Sequence, residues 1–132
     1  MNILSREAST ETPMIHFNPD NGLMEIKGRA IPKDSDDYWM PILSWFESYI
    51  QNPNEETTIK IYLDYFNISS SKRILFLLYK LNELAENGKK VCVIWQYREE
   101  DEDMFEVGQD YAYMVKVPFE FVELNESELV QV

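Results

Sequence analysis

The spacing of apolar and polar positions changes period several times along the chain. Ile59, Ile61 and Leu63 alternate with Lys60, Tyr62 and Asp64, the two-residue repeat of a strand with one strongly apolar face. From Ile74 the period lengthens. Ile74, Leu77, Leu78, Leu81 and Leu84 return on one side of a helix, and Asn87-Gly88 stops it, because glycine accepts the left-handed conformation that follows a helix end. Trp39, Leu43, Phe46 and Ile50 stand at i, i+4, i+7 and i+11 and mark an earlier helix. Asp34-Ser35-Asp36-Asp37 precedes it, and these acids suit the positive end of a helix dipole. Pro41 is tolerated only in or near a first turn, so this helix is expected to start late or to kink there.

Ile15 to Phe17 and Leu23 to Ile26 flank Pro19-Asp20-Asn21-Gly22, four turn-forming residues in a row, which predicts a hairpin. Val91 to Tyr97 is nearly all apolar and reads as a strand covered on both faces. Met104, Val107, Tyr111 and Met114 share one face of a third helix, which Gly108 weakens slightly, and Glu99, Asp103, Glu106 and Asp110 share another. Val117 to Val122 reads as a last strand, with Pro118 favouring an edge position. The order β-β-α-β-α-β-α-β argues for an α/β fold: one domain over residues 12–124, a mixed sheet of about five strands, and helices packed mainly on one face. Residues 1–11 read as a flexible N-terminal tail and 125–132 as a polar C-terminal tail.

Composition narrows the picture. The 132 residues are 45% hydrophobic, with eight Tyr, seven Phe and three Trp, enough for a packed core. The formal net charge of -12 repels phosphate backbones and anionic lipid, which argues against nucleic acid and membranes as partners; it would steer in a protein partner with a basic patch, although maintaining solubility is the simpler role for such a surface. No apolar run has the length of a membrane span, and the start lacks the pattern of a signal peptide. Cys92 is the only cysteine and sits in an apolar run, so it is expected to be a reduced core thiol of a cytoplasmic protein.

Candidate chemistry is sparse. His16 is the only histidine and lies in the first predicted strand, where a solvent-facing or locally bonded imidazole is the simpler reading than a metal ligand. There is no Cys-x-x-Cys pair, no calcium-loop spacing, no nucleophile elbow and no glycine-rich phosphate loop, so no metal or cofactor is expected. Glu99, Asp103, Glu106 and Asp110 are either a solvated face or a docking face for a basic partner. The stretch DYFNISSSKRILF, residues 64–76, places three hydroxyls at a strand-to-helix junction. Asn67 or Ser69 can cap the helix, since a side-chain oxygen there accepts from the free amides of the first turn. The same place stabilises a phosphoryl group. A small enzyme with a Tyr/Asp/Glu pocket, or a purely structural dimerisation domain, are the alternatives to a regulatory role.

The segments TPMIHFNPDNGLMEIKGRAIP, DYWMPILSWFESYI, YFNISSSK, DEDMFEVGQDYA and VPFEF occur in this order over roughly residues 12–122, and together they resemble the SiaC family of regulatory phosphoproteins. That family is similar to anti-sigma-factor antagonists of the STAS type. The resemblance implies a non-enzymatic, STAS-like partner-switching protein that a Ser/Thr kinase phosphorylates and a metal-dependent Ser/Thr phosphatase restores. Its unphosphorylated form binds and activates a diguanylate cyclase or similar effector, which ties it to biofilm and aggregation control. The family's junction usually reads Asn-Thr-Ser-Ser, with the threonine as phosphoacceptor. Here Asn67, Ser69, Ser70 and Lys72 fit the pattern, with Ser71 between them, but the acceptor position is Ile68, which has no hydroxyl. Phosphorylation then shifts to Ser69, or the protein stays unmodified and binds its partner constitutively, or this chain carries a substitution that blocks the switch.

Overall fold

The structure, a computed structural model, describes residues 1–125. Its elements run β1 (Leu4–Arg6), β2 (Met14–Asn18), β3 (Leu23–Ala30), α1 (Ser35–Tyr49), β4 (Glu56–Phe66), α2 (Ile68–Glu86), β5 (Lys90–Arg98), α3 (Glu102–Met114) and β6 (Phe119–Leu124). The six strands form one mixed sheet in the order β1-β2-β3-β4-β5-β6. The first two pairings are antiparallel and the remaining three parallel.

Each parallel strand is added on the same side of the one before it, through a helical crossover. Right-handed crossovers that all step the same way place their helices on the same face. That face carries Ile15, Phe17, Ile26, Ile59, Ile61, Val93 and Trp95, all fully buried with Trp39, Phe46, Ile74 and Leu78 of the helices. The opposite face, with Glu25, Lys27, Thr58, Lys60 and Ile94, bears no helix among the described residues. Helices on one face of a mixed α/β sheet agree with the sequence pattern, and the strand count is six rather than about five.

Other expectations need correction. Residues 4–6, read as part of a loose tail, pair with β2 as a three-residue edge strand. Cys92 is not a core thiol: strand alternation turns it to the helix-free face, half-buried, where burial and the Glu120 charge push its pKa up. β5 is accordingly covered on one face only, because its apolar run includes half-exposed Cys92, Ile94 and Gln96. Helix α1 does not start late. Asp34 caps it, its side chain accepting from the Asp37 amide at 3.0 Å, and Pro41 lies inside. The last strand begins two residues later than expected, at Phe119, and is indeed an edge. Of the expected C-terminal tail, residues 126–132 lie outside the described residues.

The hairpin forms as its sequence dictates. Asn18 and Asn21 side chains accept from the Asp20 and Leu23 amides, each at 2.9 Å, and Gly22 adopts φ +72° against the Glu56 carbonyl, where a Cβ would not fit. Helix α2 ends in a Schellman turn: the Lys89 amide donates to the Leu84 carbonyl and that of Gly88 to the Ala85 carbonyl. Gly108 is required by packing, since a Cβ there would stand 2.5 Å from the Trp95 indole.

Candidate functional site

The carboxyl ends of β3, β4 and β5 open onto one edge of the molecule, where β4 passes directly into α2. The sheet is irregular here. Gly28 pairs with Leu63 and Arg29 with Tyr65, so Asp64 is an extra residue in β4 and bulges out. Gly28 has φ +128°, a conformation few other residues adopt. The bulge turns Asp64 and Tyr65 toward an open cleft of about 410 Å³ that Arg29, Tyr62, Arg98 and Asp101 also line. Arg98 Nε donates to the Tyr62 hydroxyl at 3.0 Å, and its guanidinium stands 3.9 Å from Asp64. Burial raises the Tyr62 pKa against the opposing pull of that hydrogen bond, so the phenol stays neutral. Asp101 caps α3 by accepting from the Met104 amide at 3.0 Å. Both carboxylates of the cleft are thus engaged, and among the described residues no group of three or more His, Cys, Asp or Glu can hold a metal ion.

The junction itself separates the three serines that the sequence presents as a run. Asn67 is the N-cap, accepting from the Ser70 amide at 2.8 Å. Ser70 is fully buried and its hydroxyl accepts from the Trp39 indole at 3.0 Å. Ser71 is clipped to α3: Tyr111 donates its hydroxyl to the Ser71 carbonyl at 2.9 Å, and the two hydroxyl oxygens also lie 2.9 Å apart. With the Tyr111 proton already committed, the Ser71 hydroxyl is the donor in the second bond. Burial raises the Tyr111 pKa, so the clip remains protonated at neutral pH. Ile68 and Ser69 alone of this group face solvent, Ile68 at 78% exposure, and Lys72 is exposed one turn on.

Ile68 and Ser69 face different neighbours. Ile68 lines a groove between α2 and α3 together with Ser71, Asp101, Asp103, Met104 and Val107. Ser69 lies about 100° further round the helix. It shares its side with Arg73 and Phe76, four and seven residues on, both of which line a groove of about 300 Å³ between α1 and α2. Arg73 is ion-paired with Asp36 of α1, and Lys80 with Glu47 at 2.7 Å.

The acidic residues singled out in the sequence do not all share one helix face. Glu99 lies in the turn before α3, because the Asp101 cap starts the helix at Glu102, so the stripe on the helix is Asp103, Glu106 and Asp110, all exposed. Of the opposite face, Met104 and Tyr111 are buried, Val107 is half-buried and Met114 is exposed. His16 is exposed on β2. Sequence reasoning missed the Arg29–Tyr62–Arg98 cleft, the Trp39–Ser70 bond and the Tyr111 clip. Gly28 inside a strand was the available signal for the bulge, and the need of buried indole and phenol groups for polar partners was the signal for the other two.

A model of the SiaC family of regulatory phosphoproteins matches residues 6–124. An uncharacterized protein of Pseudomonas aeruginosa strain UCBPP-PA14 is 24% identical over 119 residues, covering 90% of this chain and 94% of that protein. Apo-SiaC from Pseudomonas aeruginosa superposes with a TM-score of 0.84 at 22% identity, over 92% of this chain and 99% of that one. The crystal structure of the diguanylate cyclase SiaD in complex with its activator SiaC, from the same organism, matches with a TM-score of 0.87 at 22% identity, over 92% of this chain and 99% of the matched chain. No helix among the described residues is long and apolar enough to cross a membrane.

Proposed function

The chain belongs to the SiaC family of regulatory phosphoproteins, a family of regulators rather than enzymes, and on that premise we propose that it is a cytoplasmic partner-switching protein that binds and regulates a diguanylate cyclase or similar effector in biofilm and aggregation signalling. Its recognition surface comprises the 67–72 junction and the neighbouring faces of α2. A Ser/Thr kinase and a metal-dependent Ser/Thr phosphatase set its state. The observation that carries this reading is the junction itself: a family-like strand-to-helix turn whose first helical residue is an exposed isoleucine, followed by one exposed serine. The complex of SiaD with SiaC supplies the partner class.

In this reading Ser69 is the acceptor, since the hydroxyls of Ser70 and Ser71 are engaged inside the fold. The Ser69 oxygen attacks the γ-phosphorus of ATP on the kinase, the bond to ADP breaks, and the hydroxyl proton passes to a base of the kinase. The product carries about -1.5 to -2 of added charge beside Ile68. An effector that buries Ile68 must then desolvate that charge, which weakens the complex. Exposed Phe76 and Tyr79 extend the apolar surface along α2.

The test is to incubate the protein and its Ile68→Thr variant with the module's kinase and ATP, map phosphate by mass spectrometry, and measure capture of the cyclase before and after. Phosphate on Ser69 with loss of capture is the expected result. Phosphate on the threonine of the variant, with none on the parent chain, would identify a constitutive binder instead. Phosphate confined to positions outside 67–72 would overturn the site.

A further inference from the structure

We propose that Arg73 is the internal receiver of a phosphoryl group on Ser69, exchanging Asp36 for it and so carrying the modification into the groove between α1 and α2. This rests on the reading of Ser69 as acceptor. It concerns what the phosphoryl does once it is there.

Three observations point to Arg73. It lies four residues after Ser69, so the two side chains are neighbours on one side of α2. Its Nε is buried and has no acceptor among the described residues, so the guanidinium holds a donor to spare. Its present partner, Asp36, keeps 70% of its side chain in solvent, and such a pair is weak. A phosphoryl group offers three acceptor oxygens and more charge than a carboxylate, and it engages a guanidinium through two parallel bonds. The competition at Arg73 therefore favours phosphoserine over Asp36.

The displacement of the acceptor from position 68 to 69 matters here. A phosphoryl at 68 would face the groove that Asp101 and Asp103 line. One at 69 stands on the α1 side, with Arg73 and Phe76. Arg73 lines the α1–α2 groove with Met40, Leu43, Ser44, Glu47 and Phe76, so moving its head group reshapes that groove. The first turn of α1 loses its ion pair. The Trp39–Ser70 and Glu47–Lys80 bonds continue to hold the two helices together, so the fold persists while the groove changes.

Phosphoserine installed at position 69 during translation, through a reassigned stop codon, removes the kinase from the experiment. The readout is the second ionisation of the phosphoryl group, followed by phosphorus NMR against pH in four backgrounds: unaltered, Arg73→Gln, Lys72→Gln and Asp36→Asn. Loss of Arg73 is expected to raise the apparent pKa by about half a unit or more, and loss of Lys72 by less. Asp36→Asn is expected to lower it, because Arg73 is released from its competitor. Arg73→Gln without effect, or with an effect smaller than that of Lys72→Gln, overturns the receiver. Asp36→Asn without effect overturns the exchange. Asp36→Asn keeps Arg73 in place, so it reads the competition even if Arg73→Gln disturbs the fold, which a thermal melt of each variant checks. Failure of the kinase to modify Ser69 would sink the earlier reading and leave this result standing.

Discussion

Replacing Gly108 by alanine sets two well-defined effects against each other. In the middle of α3 the change gains helix propensity of about 1 kcal/mol. The new Cβ, however, would stand 2.5 Å from both Cδ1 and Nε1 of Trp95 and 2.9 Å from Cε1 of Phe121. To restore 3.4 Å, the lower edge of ordinary contact, the indole must retreat by about 0.9 Å. It has little room to do so: Trp95 is fully buried, meets Tyr111 edge-on with ring centroids 5.6 Å apart, and donates from Nε1 to the Met104 carbonyl at 3.0 Å. Overpacking of this kind costs about 1–3 kcal/mol, and weakening the indole bond adds up to about 1 kcal/mol. Taking the middle of each range, the net expectation is a loss of about 1.5 kcal/mol, or roughly 5 °C in Tm. Thermal and urea unfolding of Gly108→Ala, alone and combined with Trp95→Phe, decides it. The penalty should shrink when the smaller ring replaces the indole, the signature of a direct clash. A variant at least as stable as the parent would refute the reasoning, because propensity would then outweigh contact.

Ser70→Ala leaves the buried Trp39 indole without its acceptor and should cost about 1–3 kcal/mol by urea unfolding, whereas the same change at exposed Ser69 should cost almost nothing. Asn67→Ala removes the α2 cap and should cost about 1 kcal/mol, with amide hydrogen exchange accelerating first at Ser70. Tyr38, whose hydroxyl donates to the Pro13 carbonyl, is pushed up to about 12 by burial, so the folded state holds a proton that the unfolded chain releases near pH 10. Stability should therefore fall as pH rises from about 10 to 12, and Tyr38→Phe should flatten that decline in alkaline unfolding followed by tyrosinate absorbance.

Much of the fold was legible because its signals are local. The alternation around Ile61, the leucine spacing of α2 and the Asn-Gly stop each act within a few residues, and each formed where the pattern placed it. Strand β1 was not legible: Leu4-Ser5-Arg6 is too short to show a period, and it is a strand only because β2 offers an edge. A late start for α1 was one of the two outcomes that Pro41 suggested, and the Asp34 cap rules it out, since the helix begins at Ser35 and contains the proline. The serines illustrate the limit at the site. Their identical side chains carry no hint that one is sealed beneath Trp39, one clipped by Tyr111 and one free, since those partners lie 31 and 40 residues away in sequence. The same distance hid the pairing of Arg73 with Asp36.

The strands stand side by side in the order in which the ribosome makes them. Each one emerging from the exit tunnel meets the edge completed just before, and no later strand has to wedge between two earlier ones. Assembly can then proceed as a simple advance, with one growing edge at every stage, and β6 closes the series after α3 has been laid down.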